Sequence, residues 1–159
     1  MGRAQAAEGE KVIADNRQAR HKYEILERFE AGMSLLGSEV KSLRLGQAQL
    51  KDSYALVRNG EAVLLNCHIS PYQFAGYAAA EAERTRKLLL HKAEIFRLEG
   101  KTREKGLTLI PLRLYFKNGR VKVELGLARG KQLFDKRETV RRREAEREAR
   151  AALKAHARR

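Results

Sequence analysis

Two Asn-Gly pairs, Asn59-Gly60 and Asn118-Gly119, each lie between runs of strand-forming residues and constrain the fold more than any other feature of the chain. A two-residue type I′ turn needs positive φ at both central positions, and Asn followed by Gly meets that need with least strain. The second hairpin is the clearer. Val121, Val123, Leu125 and Leu127 alternate with Lys122, Glu124, Gly126 and Ala128, the period-2 pattern of a strand with one buried face. Its partner runs from Leu107 to Phe116, where Pro111 cannot donate to a ladder and so predicts an edge, a bulge or a barrel corner. The first hairpin joins Ser53–Arg58 to Glu61–Cys67, the stretch Tyr23–Glu30 adds another strand, and Lys11–Ala14 carries a weaker strand signal.

Helical signals fall between the strands. Leu36, Val40 and Leu43 share a helical face, with Gly46 as a stop, which predicts a short amphipathic helix over 34–45. A longer helix is predicted within 84–100, where Leu90, Glu94, Arg97 and Leu98 lie near one repeat and Gly100 stands as the C′ residue. Short strands with inserted helices point to a mainly β chain built as an OB-like closed antiparallel barrel with flanking helices.

The chain has 159 residues and a net charge of +14. Residues 129–159 hold 12 basic and 5 acidic side chains, against 22 and 15 in residues 1–128, so each part carries +7. From Asp135 onward only Val140 and Leu153 are large and apolar, too few for a packed core. The Ala, Arg, Glu and Lys content nevertheless favours a helix, supported by the Glu138–Arg142 and Glu146–Arg150 pairs. The expected organisation is a barrel over 1–130, with 1–10 disordered, and a basic tail over 131–159 that is disordered alone and helical when bound.

Several chemistries are disfavoured. The lone Cys67 ends an apolar strand run, and neither a disulfide framework nor a cysteine zinc module is possible with it. His21, His68, His91 and His156 fall one to an element with no paired-ligand spacing, and LARGKQLF lacks the spacing of a P-loop. No catalytic residues, metal ligands or cofactor site are expected. With no apolar span or signal segment, the expectation is a soluble cytoplasmic protein without a membrane partner.

Three basic clusters remain: Arg17, Arg20 and His21 within NRQARHKY; Lys41 and Arg44 on the 34–45 helix; and Arg84, Arg86, Lys87 and Lys92 within RTRKLLLHK. Any one alone is an ordinary solvated face. Together with +14 they favour a phosphate-binding surface. Tyr72, Phe74 and Tyr77 in HISPYQFAGY are candidates for exposure, whereas Tyr23, Tyr54, Tyr115 and Phe116 lie in strands.

The ordered blocks NRQARHKY, EAGMSLLGSEVKSLRLG, DSYALVRNGEAVLLNCHISPY, RKLLLHKAEI and GKQLFDKRE, from Val12 to Glu138, resemble the signature of the small protein B, or SsrA-binding protein, family. The resemblance implies a six-stranded OB-like barrel and a non-enzymatic role in trans-translation. It implies binding to the tRNA-like domain of transfer-messenger RNA, delivery with elongation factor Tu to stalled ribosomes, and a tail that probes the empty mRNA channel beside the small-subunit decoding centre. Carried onto this chain, it makes Asn16, Glu30 and Leu89 positions that contact or shape the RNA surface. It gives Gly130, Lys131, Asp135, Lys136 and Arg137 a decoding-centre and channel role, with Phe134 placed to stack on a ribosomal base. Gln132 departs from a common Lys of the family.

Glu30 is unexpected beside phosphate, and a hydrogen bond to a base edge, a sugar hydroxyl or a neighbouring Arg would reconcile it. The alternative function is a structural or assembly ribosomal protein with an rRNA-seeking basic extension. A membrane-surface tail and a nuclease rank lower, the first for want of apolar residues and the second for want of an acid–base or metal constellation.

Overall fold

The computed structural model describes residues 9–104, 106–131 and 143–152. In chain order the elements are β1 (Glu10–Asp15), α1 (Arg17–Lys22), β2 (Tyr23–Met33), α2 (Gly37–Arg44), β3 (Ala48–Gln49), β4 (Tyr54–Arg58), β5 (Glu61–Leu65), β6 (His68–Ile69), a 3-10 turn (Gly76–Ala78), β7 (Arg86–Leu89), α3 (Lys92–Thr102), β8 (Leu107–Lys117) and β9 (Arg120–Gly130). Both Asn-Gly pairs make the expected turns, with φ of 51° and 73° at Asn59 and Gly60 and of 51° and 77° at Asn118 and Gly119. They join β4 to β5 and β8 to β9 in antiparallel register.

Seven strands form one sheet in the order β1-β8-β4-β5-β7-β2-β9, β8 pairs additionally with β9, and β3 and β6 form a small separate sheet. The expectation of six strands is therefore exceeded by β1, which adds to β8 beyond the β8–β9 pairing. β1 also begins at Glu10, inside the stretch expected to be disordered; residues 1–8 lie outside the described residues. The core is a cluster drawn from both hairpins and the elements that cover them, including Leu43 of α2, Leu64, Leu88, Leu98 of α3, Leu109, Leu114, Val123 and Leu125, all buried.

Pro111 sits at a bulge. The β8–β9 register shifts between Pro111 and Arg113, leaving Leu112 without a partner across the ladder. Its freed carbonyl accepts the backbone N–H of Asn16 at 2.8 Å, at the point where β1 ends.

The predicted helix within 84–100 is corrected on two counts. Residues Arg86–Leu89 form a strand, and the helix starts at Lys92 and continues through Gly100 to Thr102. Arg86 and Leu88 point inward in β7 while Lys87 and Leu89 are exposed, a period of two that the three consecutive leucines disguise. In α3, fully buried Leu98 anchors the second half, and Thr102 Oγ1 donates back to the Leu98 carbonyl at 2.7 Å, extending the helix past the glycine.

Contacts divide the chain into two compact units, Met1–Arg129 and Gly130–Arg159. In the second, residues 143–152 are helical and, over 143–152, exposed. Among the described residues no helix is long and apolar enough to cross a membrane.

Candidate nucleic-acid interface

The first basic cluster is built on Asn16. This residue is only 7% exposed, and its side chain works in both directions. Its Nδ2 donates to the Pro111 carbonyl at 2.9 Å and to that of Leu50 at 3.5 Å, while its Oδ1 accepts the Ala19 N–H at 3.3 Å and so caps α1. α1 then packs through buried Ala19 against Ile110, Leu112 and Ala128. Arg17, His21 and Lys22 are left exposed on this short helix, and Arg20 pairs with Asp15 at 3.2 Å. The Asn16 amide is thus committed to internal partners, and it fixes the start of α1.

Glu30, Lys87 and Leu89 come together in an open groove of about 570 Å³ that also takes in Gly32, His91, Lys92 and Lys122. Strands β2, β5, β7 and β9, the turn before β5 and the start of α3 supply it, and Glu61 and Glu94 are also in its lining. Leu89 stays 53% exposed although it is a leucine in a strand. It lies opposite Gly32 in the β2–β7 ladder, where a Cβ on the glycine would stand 3.3 Å from that of Leu89. The absence of a side chain at residue 32 leaves the groove open there.

Glu30 is reconciled with its basic surroundings by partners that sequence reading did not identify. Its carboxylate accepts the Tyr115 hydroxyl at 2.6 Å and the Lys117 ammonium at 3.2 Å. Tyr115 is buried, with the Arg113 guanidinium over its ring 4.3 Å from the centroid. The hydrogen bond from Tyr115, together with Lys117, outweighs desolvation and holds the Glu30 carboxyl below its usual range, while burial and the Glu30 carboxylate push the Tyr115 phenol up. The outcome is an ionised acceptor fixed at the groove's edge, suited to a hydrogen-bond donor and not to a phosphate. Nothing in the spacing of Tyr115 distinguishes it from a core aromatic.

The remaining two clusters are linked through a buried acid. Glu39 of α2 is 2% exposed and receives Arg84 and Arg86, each at 2.6 Å, and the Leu36 N–H at 2.9 Å. Arg86 is fully buried and also donates to the carbonyls of Cys67 at 2.7 Å and Ala82 at 3.1 Å. Desolvation pushes the Glu39 carboxyl up, but the arginines and the backbone donor more than compensate and leave it lowered. Arg86 is consequently an internal strut with no surface to offer a ligand. Lys41 and Arg44, on the same helix, are exposed. Burial also pushes the Cys67 thiol up to about 11, in keeping with an inert interior cysteine.

Of the tail positions, Gly130 ends β9 and Lys131 is exposed. Phe134, Asp135, Lys136 and Arg137 lie outside the described residues. Among the described residues no group of three or more His, Cys, Asp or Glu side chains is placed to hold a metal ion.

The deciding observation is one of sequence. A family model described as SmpB protein matches residues 13–155. The chain belongs to the SmpB family. It is 62% identical over 148 residues to an SsrA-binding protein of Desulforudis audaxviator (strain MP104C), covering 92% of this chain and 97% of that protein. Another SsrA-binding protein, from Trichodesmium erythraeum (strain IMS101), is 57% identical over 150 residues, covering 94% and 96%. Among solved structures, a chain described under "tmRNA-SmpB: a journey to the center of the bacterial ribosome" is similar with a TM-score of 0.63 at 55% identity, covering 74% of this chain and 82% of that one. The SmpB match thus spans both hairpins, the groove and the tail.

Proposed function

We propose that this SmpB-family chain is the RNA-binding factor of trans-translation. It binds the tRNA-like domain of transfer-messenger RNA through the surface that includes the Glu30–Lys87–Leu89 groove and α1. With elongation factor Tu acting through the RNA, it delivers that RNA to stalled ribosomes, where the tail over 131–159 occupies the decoding centre and the empty mRNA channel. The observation that carries the reading is the groove, in which an oriented, ionised carboxylate and an exposed leucine sit with Lys87, Lys92 and Lys122 beside two further acids, Glu61, which pairs with Lys87 at 3.4 Å, and Glu94. Such a combination recognises the shape and donors of a folded RNA, whereas lysines alone would serve any polyanion. The strand pairings that pass from β8 through β4, β5, β7, β2 and β9 and return to β8 support an OB-like closed barrel, to which β1 adds.

Arg17, Arg20, His21, Lys41, Arg44 and Lys87 supply the phosphate contacts, and Asn16 and Arg86 position them. Deleting residues 131–159 is expected to leave affinity for the tRNA-like domain nearly intact while abolishing peptide tagging on stalled ribosomes. Loss of RNA affinity in the truncated protein would refute the division of labour. If the body neutralises about five phosphates, log K falls with log salt at a slope of roughly −3.5 to −4.5, and a flat response would remove the electrostatic account.

A further inference from the structure

We propose that the loop over residues 71–79, together with α2, is a stacking shelf for unpaired bases of single-stranded RNA. The inference rests on the RNA-binding reading above; it uses none of the residues that line the first groove, and it shares with that reading only the cations Lys41 and Arg44. Tyr72 and Phe74 form an edge-to-face pair with centroids 5.5 Å apart and planes at 67°. Phe74 is 76% exposed beside Tyr72, and Tyr77, in the same loop, is wholly exposed. One exposed ring is ordinary, as at Phe96, which is 80% exposed, whereas several aromatic rings displayed within one short loop point to a contact site.

The display is built into the fold. The loop is tied at its base by Ser70 N–H to the Gln47 carbonyl at 3.0 Å and by Ile69 N–H to that of Ala82 at 3.0 Å. Ala75 N–H closes a turn on the Tyr72 carbonyl at 3.0 Å, so the rings project from a short constrained turn. Beside them lies a groove of about 410 Å³ lined by Leu45, Gln47, Gln49 and Tyr72 among others, with no acidic residue in its lining.

Charge selects the occupant. The Lys41 ammonium lies 5.4 Å from the centroid of Tyr72, and Arg44, one turn further along α2, is exposed. Aromatic faces with cations beside them and amides within the adjoining groove match the requirements of single-stranded RNA: rings for bases, cations for the backbone, and Gln side chains for base edges. Double-helical RNA keeps its bases stacked inside and would use only the cations. The shelf therefore takes unpaired nucleotides.

The chain contains no Trp, so Phe74→Trp installs a single fluorescent reporter. Titration of this full-length variant with single-stranded oligouridine is expected to quench its emission saturably, whereas an RNA duplex of equal phosphate count at the same salt leaves most of it unquenched. In the otherwise unaltered chain, a Phe74→Leu, Tyr77→Leu double variant is expected to bind oligouridine about tenfold more weakly while its affinity for the tRNA-like domain stays within about twofold. Absence of quenching, equal quenching by the duplex, or undiminished oligouridine binding by the double variant would overturn the proposal. So would an emission change that depends on protein concentration without RNA, which would assign the patch to a second copy of the chain. Oligouridine binding by an unaltered protein that fails to bind the tRNA-like domain would support the shelf and defeat the reading of the first groove.

Discussion

At the scale of single residues, the pairing of Glu30 with Tyr115 couples a surface group to the interior. The phenol is held under the Arg113 guanidinium and donates at 2.6 Å to a carboxylate that is itself partly solvated. Tyr115→Phe keeps the ring and removes only the donor. Because water can replace part of the lost hydrogen bond at an exposed acid, the expected loss of stability is about 1 kcal/mol. Affinity for the tRNA-like domain is expected to fall further than that stability change explains, since Glu30 then loses its buried anchor and keeps the half-exposed Lys117. Denaturant unfolding and RNA binding measured on the same preparation check it. Unchanged RNA affinity would show that the orientation of Glu30 is immaterial.

At the scale of elements, the bulge at Leu112 and the strand β9 are fitted to each other. Gly126 lies opposite Ile110 in the β8–β9 ladder, and a Cβ there would stand 3.1 Å from Leu112 Cδ1 and 3.3 Å from Ile25 Cδ1. Leu112 is fully buried, so any shift of its side chain must be taken up by the core around it. Gly126→Ala is accordingly expected to destabilise by about 1–3 kcal/mol through overpacking, seen as a lower denaturation midpoint with an unchanged slope. The same elements show what a sequence discloses. The hairpins were readable because Asn-Gly fixes both turn type and register locally, and Pro111 marked an irregularity, which of edge, bulge or corner left open, because a missing N–H is a property of one residue. Strand β7 was not, because it inverts the usual rule: Arg86 is buried and Leu89 exposed. The burial of Arg86 depends on Glu39, 47 positions away, and Leu89 is exposed opposite Gly32 of β2, neither of which local periodicity registers. The groove was half legible for a like reason, since Lys87 stood out by charge whereas Gly32 and Tyr115 acquire meaning only when β2, β7 and β8 are brought together.

For the whole molecule, acid stability should follow the buried and networked carboxylates. Glu30, Glu39 and Glu124 are all lowered from an ordinary value of 4.5. A group whose native pKa lies below its unfolded one stabilises fully above the unfolded value, and that contribution is lost as pH falls through the native value. Stability is therefore expected to hold from neutrality down to the ordinary carboxylate range and then to fall as these groups take up protons. Glu39→Gln is expected to cost about 3–5 kcal/mol at pH 7, because Arg86 remains buried without its counter-charge. The gap from the parent protein should narrow in acid, where the parent's own Glu39 becomes neutral. Denaturant titrations at neutral and acid pH measure both gaps, and a pH-independent gap would contradict the ion-pair account.

The sheet topology also has a consequence for the order of assembly. Each Asn-Gly hairpin closes over a two-residue turn and can form as soon as its own residues are available, whereas β1 meets β8 across the ladder from Glu10 to Lys117, and β2 waits for β9. The groove draws on β2, β7 and β9 together. A nascent chain therefore has no complete groove until β9 has been synthesised and paired, so the surface proposed above to bind RNA is assembled in one step when β9 docks, not strand by strand as the chain emerges.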